Sequence, residues 1–183
     1  MRRIVFSIFV LVVLAAFTGG CGKTPGFHRG DGFTVNFPPS WIKNKDWVVE
    51  PRFNLKSKFE PYSVTYVTPE QDPDTLEPYA SISIYRTKPD MQIWLEDEFP
   101  NIVDTFYNNG YDVLDKGEVK IDNQLAKWLV YRDNRKGLLN LEFYIVNDNN
   151  VLFRIQYCAR DDKFSQYRPL FEGVRESIKL NRW

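Results

Sequence analysis

The sequence predicts an α+β domain: one antiparallel β-sheet of about six to seven strands flanked by helices. Three observations predict it. Several short stretches alternate apolar and polar residues, the period of a half-buried strand. Two longer stretches repeat apolar residues at three- and four-residue spacing, the period of an amphipathic helix. Segments rich in Pro, Gly, Asn and Asp separate them, and neither an internal repeat nor a low-complexity tract suggests a second domain.

In chain order, residues 32–37 alternate Phe33, Val35 and Phe37 against Thr34 and Asn36, a strand closed by Pro38-Pro39 and followed by Trp41 in a short helix or loop. Residues 62–67 place Tyr62, Val64 and Tyr66 on one face. Residues 79–86 place Ala80, Ile82 and Ile84 opposite Ser81, Ser83 and Tyr85. Between these strands, residues 68–78 hold three prolines and four acids and read as a loop. Asp90 can cap a helix over 91–109 with Met91, Leu95, Phe99, Ile102, Val103 and Phe106 on its apolar seam. Pro100 predicts a kink or a break in it, and Asn109-Gly110 a left-handed stop.

Four strands are expected next, over 113–121, 125–133, 139–147 and 151–160. The last two can be registered. Leu141, Phe143 and Ile145 face Tyr157, Ile155 and Phe153 only if paired residue numbers sum to 298, which leaves a three-residue loop Asp148-Asn149-Asn150. The other face then carries Asn140, Glu142 and Tyr144 opposite Cys158, Gln156 and Arg154, with Arg160 at the end. Asp161-Asp162 is the expected cap of a terminal helix whose seam is Phe164, Tyr167, Phe171, Val174 and Ile178, weakened by Pro169 and Gly173.

Gly32-Phe33-Thr34-Val35-Asn36-Phe37-Pro38 with Trp41 at the front, the hairpin at 148–150, and Tyr167-x-Pro169-x-Phe171 followed by Glu176-Ser177-Ile178 resemble the PsbP-like domains, including DcrB-type bacterial lipoproteins. The resemblance spans residues 32–180. It implies a central sheet sandwiched by helices, in a group of mostly non-catalytic accessory proteins. In photosynthetic members the domain supports retention of metal and chloride by a large complex. No metal-binding motif of that group matches positions of this chain.

Ahead of the domain, Arg2-Arg3, an apolar run over 4–17 and Thr18-Gly19-Gly20 lead into Cys21, the order of a secretory leader and too short for a comfortable membrane span. Gly19-Gly20-Cys21 resembles the lipobox of bacterial lipoproteins, although Thr18 stands where Leu is usual. The resemblance implies cleavage after residue 20 and acylation of Cys21, with residues 21–31 a lipidated tether and 32–183 the domain. A flexible tether of ten residues spans about 17 Å. By lipobox rules Gly22, in place of Asp, argues against retention at an inner membrane. The expected location is therefore a bacterial envelope membrane, the outer one in a Gram-negative cell, with the domain facing the periplasm or the exterior.

Losing residues 1–20 removes Arg2 and Arg3 and leaves 22 Lys and Arg against 24 Asp and Glu, a net charge of −2. That balance gives no electrostatic basis for binding nucleic acid. With Cys21 acylated, Cys158 has no second cysteine for an intrachain disulfide. Aromatic residues make up 16% of the chain, which fits either a β-rich core or an exposed aromatic surface for a partner.

Candidate chemistry is sparse. His28, the one histidine, falls in the expected tether with no second His or Cys beside it, so a zinc site and a histidine-activated nucleophile are both unsupported. Glu70, Asp72, Asp74 and Glu77 could meet a hard cation, but lack EF-hand spacing and read as a solvated loop. Arg132, Arg135 and Lys136 read as a solvated basic turn. Cys158 with Arg154 and Arg160 could have an acidified thiol, or could lie inert beneath the first helix. Glu142, Tyr144, Arg154, Gln156, Cys158 and Arg160 form the candidate ligand or partner face, with cross-strand pairing the plainer reading. The expected function is a monomeric, non-catalytic, cofactor-free envelope lipoprotein that binds a protein partner. The alternative is a carrier holding a small ligand in an aromatic-lined pocket that uses Tyr144 and Arg154.

Overall fold

The computed structural model describes residues 26–45 and 61–181. The leader, Cys21 and residues 22–25 of the expected tether lie outside the described residues. In chain order the elements are β1 (Phe27–Arg29), β2 (Phe33–Asn36), β3 (Ile42–Asn44), β4 (Tyr62–Val67), β5 (Ala80–Thr87), α1 (Leu95–Asn108), β6 (Asp112–Ile121), β7 (Gln124–Asp133), β8 (Leu138–Val146), β9 (Leu152–Arg160), α2 (Phe164–Ser177) and β10 (Lys179–Leu180). A seven-stranded sheet runs β3-β4-β5-β9-β8-β7-β6, and a three-stranded sheet runs β1-β2-β10. Every pairing in both is antiparallel. The predicted α+β architecture is therefore the observed one.

The register argued for the β8–β9 hairpin is the one observed: Ile145 pairs Phe153, Phe143 pairs Ile155 and Leu141 pairs Tyr157. Its loop closes with the Val151 carbonyl accepting from the Asn147 amide at 3.1 Å, and Asn150 takes the left-handed conformation at φ 57°. Asn is among the few residues that adopt this region at low cost. The β6–β7 hairpin turns on Asp122 (φ 47°) and Asn123 (φ 65°), a two-residue turn whose positive φ angles match the twist of the strands it joins.

Alternation splits the core between the two faces of the large sheet. One face carries Ile82, Ile84, Phe143, Phe153, Ile155 and Tyr157 and is covered by α2 and the small sheet. There the signposts at the two ends of the domain meet, because Trp41 packs edge-on against both Tyr167 (6.1 Å) and Phe171 (6.3 Å), and the Asn36 amide donates to Ser177 Oγ at 2.9 Å. The opposite face takes α1, which buries Phe99, Ile102, Val103 and Phe106 against Leu129, Tyr131 and Tyr144. Each such side chain contributes about 1.5–3 kcal/mol on burial.

Helix α1 ends as Asn109-Gly110 predicts. Gly110 has φ 76°, its amide donates to the Tyr107 carbonyl, the Tyr111 amide donates to that of Phe106, and the two rings meet at 5.5 Å. The start departs from expectation. Asp90 does not cap it; the helix begins at Leu95 after Trp94, which makes no side-chain cap. The reason is Asn150, whose side-chain oxygen accepts from the Ile93 amide at 2.9 Å while its amide nitrogen donates to the Met91 carbonyl at 2.8 Å. These bonds tie residues 91–93 to the β8–β9 loop and out of the helix. Nor does Pro100 break the helix, which runs unbroken through it. The N–H that Pro100 lacks would have bonded the Glu96 carbonyl, on an exposed stretch where water can replace it.

The cap expected from Asp161-Asp162 is also corrected. These carboxylates accept from Arg132 (2.9 Å) and pair with Arg160 (3.4 Å), while Lys163 occupies the capping position of α2. Ile178, expected on the helix seam, lies beyond it in extended conformation and is buried.

The assignment of residues 21–31 to a tether and of the domain's start to residue 32 is corrected as well. Phe27–Arg29 pair with β2, and the Phe37 amide donates to the Gly26 carbonyl at 2.9 Å, so the folded chain reaches back at least to Gly26. His28 therefore belongs to the domain. Its Nε2 lies 2.9 Å from the Tyr62 hydroxyl and its ring packs among Phe33, Phe37 and Tyr66. Burial, with Lys43 nearby, holds its pKa below the usual value. The unfolded chain then takes up the proton first as pH falls. Stability is fully present above about pH 6.5 and is lost as pH drops through that value toward the folded pKa. Denaturant titrations between pH 7.5 and 5 are expected to show this loss in the native protein and a smaller one in His28→Gln.

Candidate functional site

The polar stripe expected on β8 and β9 lies on the α1 face of the large sheet, and the pairing registers line it up in rows. Thr65, Ser83, Gln156 and Glu142 form one row across β4, β5, β9 and β8. Tyr85, Arg154, Tyr144 and Lys127 form the next across β5, β9, β8 and β7. Glu142 is its hub, fully buried. One carboxylate oxygen accepts from Arg154 Nε at 2.8 Å and from the Tyr144 hydroxyl; the other accepts from an Arg154 terminal nitrogen at 3.1 Å and from the Tyr131 hydroxyl at 2.7 Å. The Gln156 amide nitrogen donates onward to the Tyr131 oxygen (3.2 Å) and to Asn140 Oδ1 (3.1 Å).

Electrostatically the stripe is self-compensating. Burial alone disfavours a charged Arg154, but the Glu142 carboxylate, with Tyr144 and Tyr131 beside it, more than offsets this and raises its pKa above the ordinary guanidinium value. The two-point geometry of guanidinium on carboxylate is the strong form of such a pair. Four donors fill the accepting directions of the Glu142 carboxylate, so the network as it stands is a buried lock between β7, β8 and β9 beneath α1.

Of the six residues expected on this face, Glu142, Tyr144, Arg154 and Gln156 come together. Cys158 is half-buried one row along, level with Ser81 and Asn140. Arg160 is not part of the cluster. Its guanidinium pairs with Asp72 and Asp162 beyond the strand end. Asp72, buried in the acidic loop, accepts from the amides of Asp74 (2.9 Å) and Thr75 (3.0 Å), which makes it a turn-former held by Arg160. Among the described residues no three His, Cys, Asp or Glu side chains gather to hold a metal ion.

Tyr131 is the member of the network that sequence reasoning missed. Alternation alone gives β7 no partner register; the pairing of Tyr131 with Asn140 is what puts its hydroxyl on the stripe. Lys127 is similar. It lies on the same face and ties the first turn of α1 to the sheet through Glu96 (2.6 Å) and Glu118.

Among the described residues the aromatics are chiefly core: Phe33, Phe37, Phe106, Tyr131, Tyr144, Phe153, Tyr157 and Phe171 are all fully buried. Among the described residues no helix is long and apolar enough to cross a membrane.

No family model matches the chain, and no curated protein matches it in sequence. Solved structures do match it in fold. The solution structure of cyanobacterial PsbP (CyanoP) from Synechocystis superposes with a TM-score of 0.58 at 15% identity, covering 90% of this chain and 99% of that one. PA94, a Pseudomonas aeruginosa protein of unknown function, matches with a TM-score of 0.60 at 12% identity, covering 86% and 97%. LpqN of Mycobacterium tuberculosis, described as involved in cell envelope biogenesis, matches with a TM-score of 0.50 at 16% identity, covering 82% and 83%. The chain has a PsbP-like fold. At these identities the likeness fixes architecture and topology, and no residue role passes across it.

Proposed function

We propose that the chain is a lipid-moored cell-envelope protein whose single PsbP-like domain has a non-catalytic, accessory binding role in a protein complex. The observation that carries the reading is the leader ending at Gly19-Gly20-Cys21 immediately ahead of this domain. A CyanoP structure alike over nearly its whole length, and an envelope-biogenesis protein among the fold relatives, support it. Four residues, 22–25, separate Cys21 from Gly26, and five Cα–Cα steps reach at most about 18 Å in any conformation. The domain would work against the membrane surface.

The carrier alternative draws on Tyr144 and Arg154. Both are buried and bonded to Glu142, so a ligand there would have to displace an internal ion pair, which favours the binding role over the carrier.

The anchor is tested by Cys21→Ser. Two acyl chains at roughly 0.8 kcal/mol per buried CH₂ hold a protein stably, and their loss is expected to move the chain from the membrane fraction to the soluble fraction. A Cys21→Ser chain that still floats with membranes contradicts the mooring.

A further inference from the structure

One surface feature breaks local rules without local gain. Trp94 occupies the N-cap position of α1, where Ser, Thr, Asp or Asn is favoured and a substitute without a capping oxygen costs about 1 kcal/mol. Its side chain is 67% exposed, and that of Met91, three residues earlier, is 78% exposed. Two large apolar side chains thus leave the domain from one short connection. Such departures from local consistency concentrate at functional surfaces.

The connection is nonetheless rigid. Ile93, between the two, is buried, and Asn150 grips the backbone on both sides of Gln92 through the Ile93 amide and the Met91 carbonyl. The backbone between Met91 and Trp94 is therefore positioned before any partner arrives, which lowers the entropy lost on binding. Trp is among the residues most often found at the energetic centres of protein interfaces.

Charge selects the partner. Asp90 adjoins Met91, the amides of Asp97 and Glu98 bond the Trp94 carbonyl one turn on, and Asp148 stands on the loop that Asn150 closes; all four acids are exposed. Lys88, the one cation of residues 88–94, is half-buried. An acidic rim around apolar anchors repels anionic lipid headgroups and attracts a cationic segment.

Position agrees. Gly26, the first described residue, lies beside Phe37, which stacks on Tyr66 at 4.0 Å, level with Ile82. Met91 and Trp94 follow the other end of β5, past Thr87, so five strand residues, about 17 Å, separate the two levels. On the reading that Cys21 moors the chain, this connection stands at the end of β5 remote from the anchored Gly26.

We infer that Met91 and Trp94, rimmed by Asp90, Asp97, Glu98 and Asp148, are the docking surface for a cationic segment of a protein partner that also carries apolar side chains. The inference rests on the proposed binding role. The test is photo-crosslinking in intact host cells, with benzoylphenylalanine placed at Met91 or, as a control on the other face of the sheet, at Leu170 of α2. The full chain is used with Cys21 in place. The expected result is one protein adduct from position 91 and none from 170. The crosslinked peptide should hold more Lys and Arg than Asp and Glu, and yield should fall at least tenfold on adding Trp94→Ala or the pair Asp97→Lys and Glu98→Lys. Adducts from position 170 alone, or equally from both, overturn this surface and leave the binding role standing. Adducts from neither position count against both. An adduct to lipid, to a second copy of this chain or to an acidic segment overturns the assigned partner chemistry.

Discussion

Replacing Arg154 with Met is expected to destabilise the domain by about 3–5 kcal/mol, because it leaves the Glu142 carboxylate buried without its counter-charge. The side chains involved are almost wholly enclosed, Arg154 at 2% and Glu142 at 0% exposure, so water cannot substitute. Removing both charges together, with Glu142→Leu added to Arg154→Met, is expected to recover much of that loss. Recovery stays incomplete while Tyr131 and Tyr144 lack their acceptor, and adding Tyr131→Phe and Tyr144→Phe should restore more. Guanidinium unfolding curves of the native, single, double and fourfold variants give these differences directly. A single Arg154→Met that costs less than about 1 kcal/mol contradicts the view of this stripe as a structural lock.

The second large effect belongs to the other face. Phe171→Ala is expected to cost about 3–5 kcal/mol, the range for deleting a buried phenyl ring. Phe171 joins α2 to the sheet and to the front of the chain at once: it stacks on Tyr157 at 5.0 Å and meets Phe164 at 5.4 Å and Trp41 at 6.3 Å. Tyr107→Ala on α1, half-exposed, should by contrast stay within about 0.5 kcal/mol. If both substitutions cost the same, α2 does not carry the packing assigned to it.

Where the sequence alternates strictly, it determined the elements closely. Tyr62–Val67 form β4 without adjustment, and the apolar sets of β8 and β9 oppose each other in one register only, which is the observed one. Illegible parts fall where a distant residue decides. The start of α1 depends on Asn150, far along the chain, and no local signal in residues 90–94 announces that grip. Phe27–Arg29 is too short and too exposed to show a period, so β1 passes for a tether until β2 pairs with it. Ile42–Asn44 at the sheet edge is hidden in the same way.

The candidate site was legible in composition and not in bonding. Alternation placed Glu142, Tyr144, Arg154 and Gln156 on one face, but Tyr131 entered only through the β7–β8 register. Arg160 shares that strand yet turns to Asp72, whose loop position no strand pattern reveals. A polar stripe read from sequence can therefore be a ligand face or an internal lock, and the partners on neighbouring strands decide between them.

The central claim is that one PsbP-like domain works tied to an envelope membrane by Cys21. Its most direct test is the mass of the mature N-terminal peptide, purified from the host membrane fraction. The claim predicts a chain that begins at Cys21 and carries diacylglycerol on its sulfur, while a chain that begins elsewhere, or at an unmodified Cys21, contradicts it.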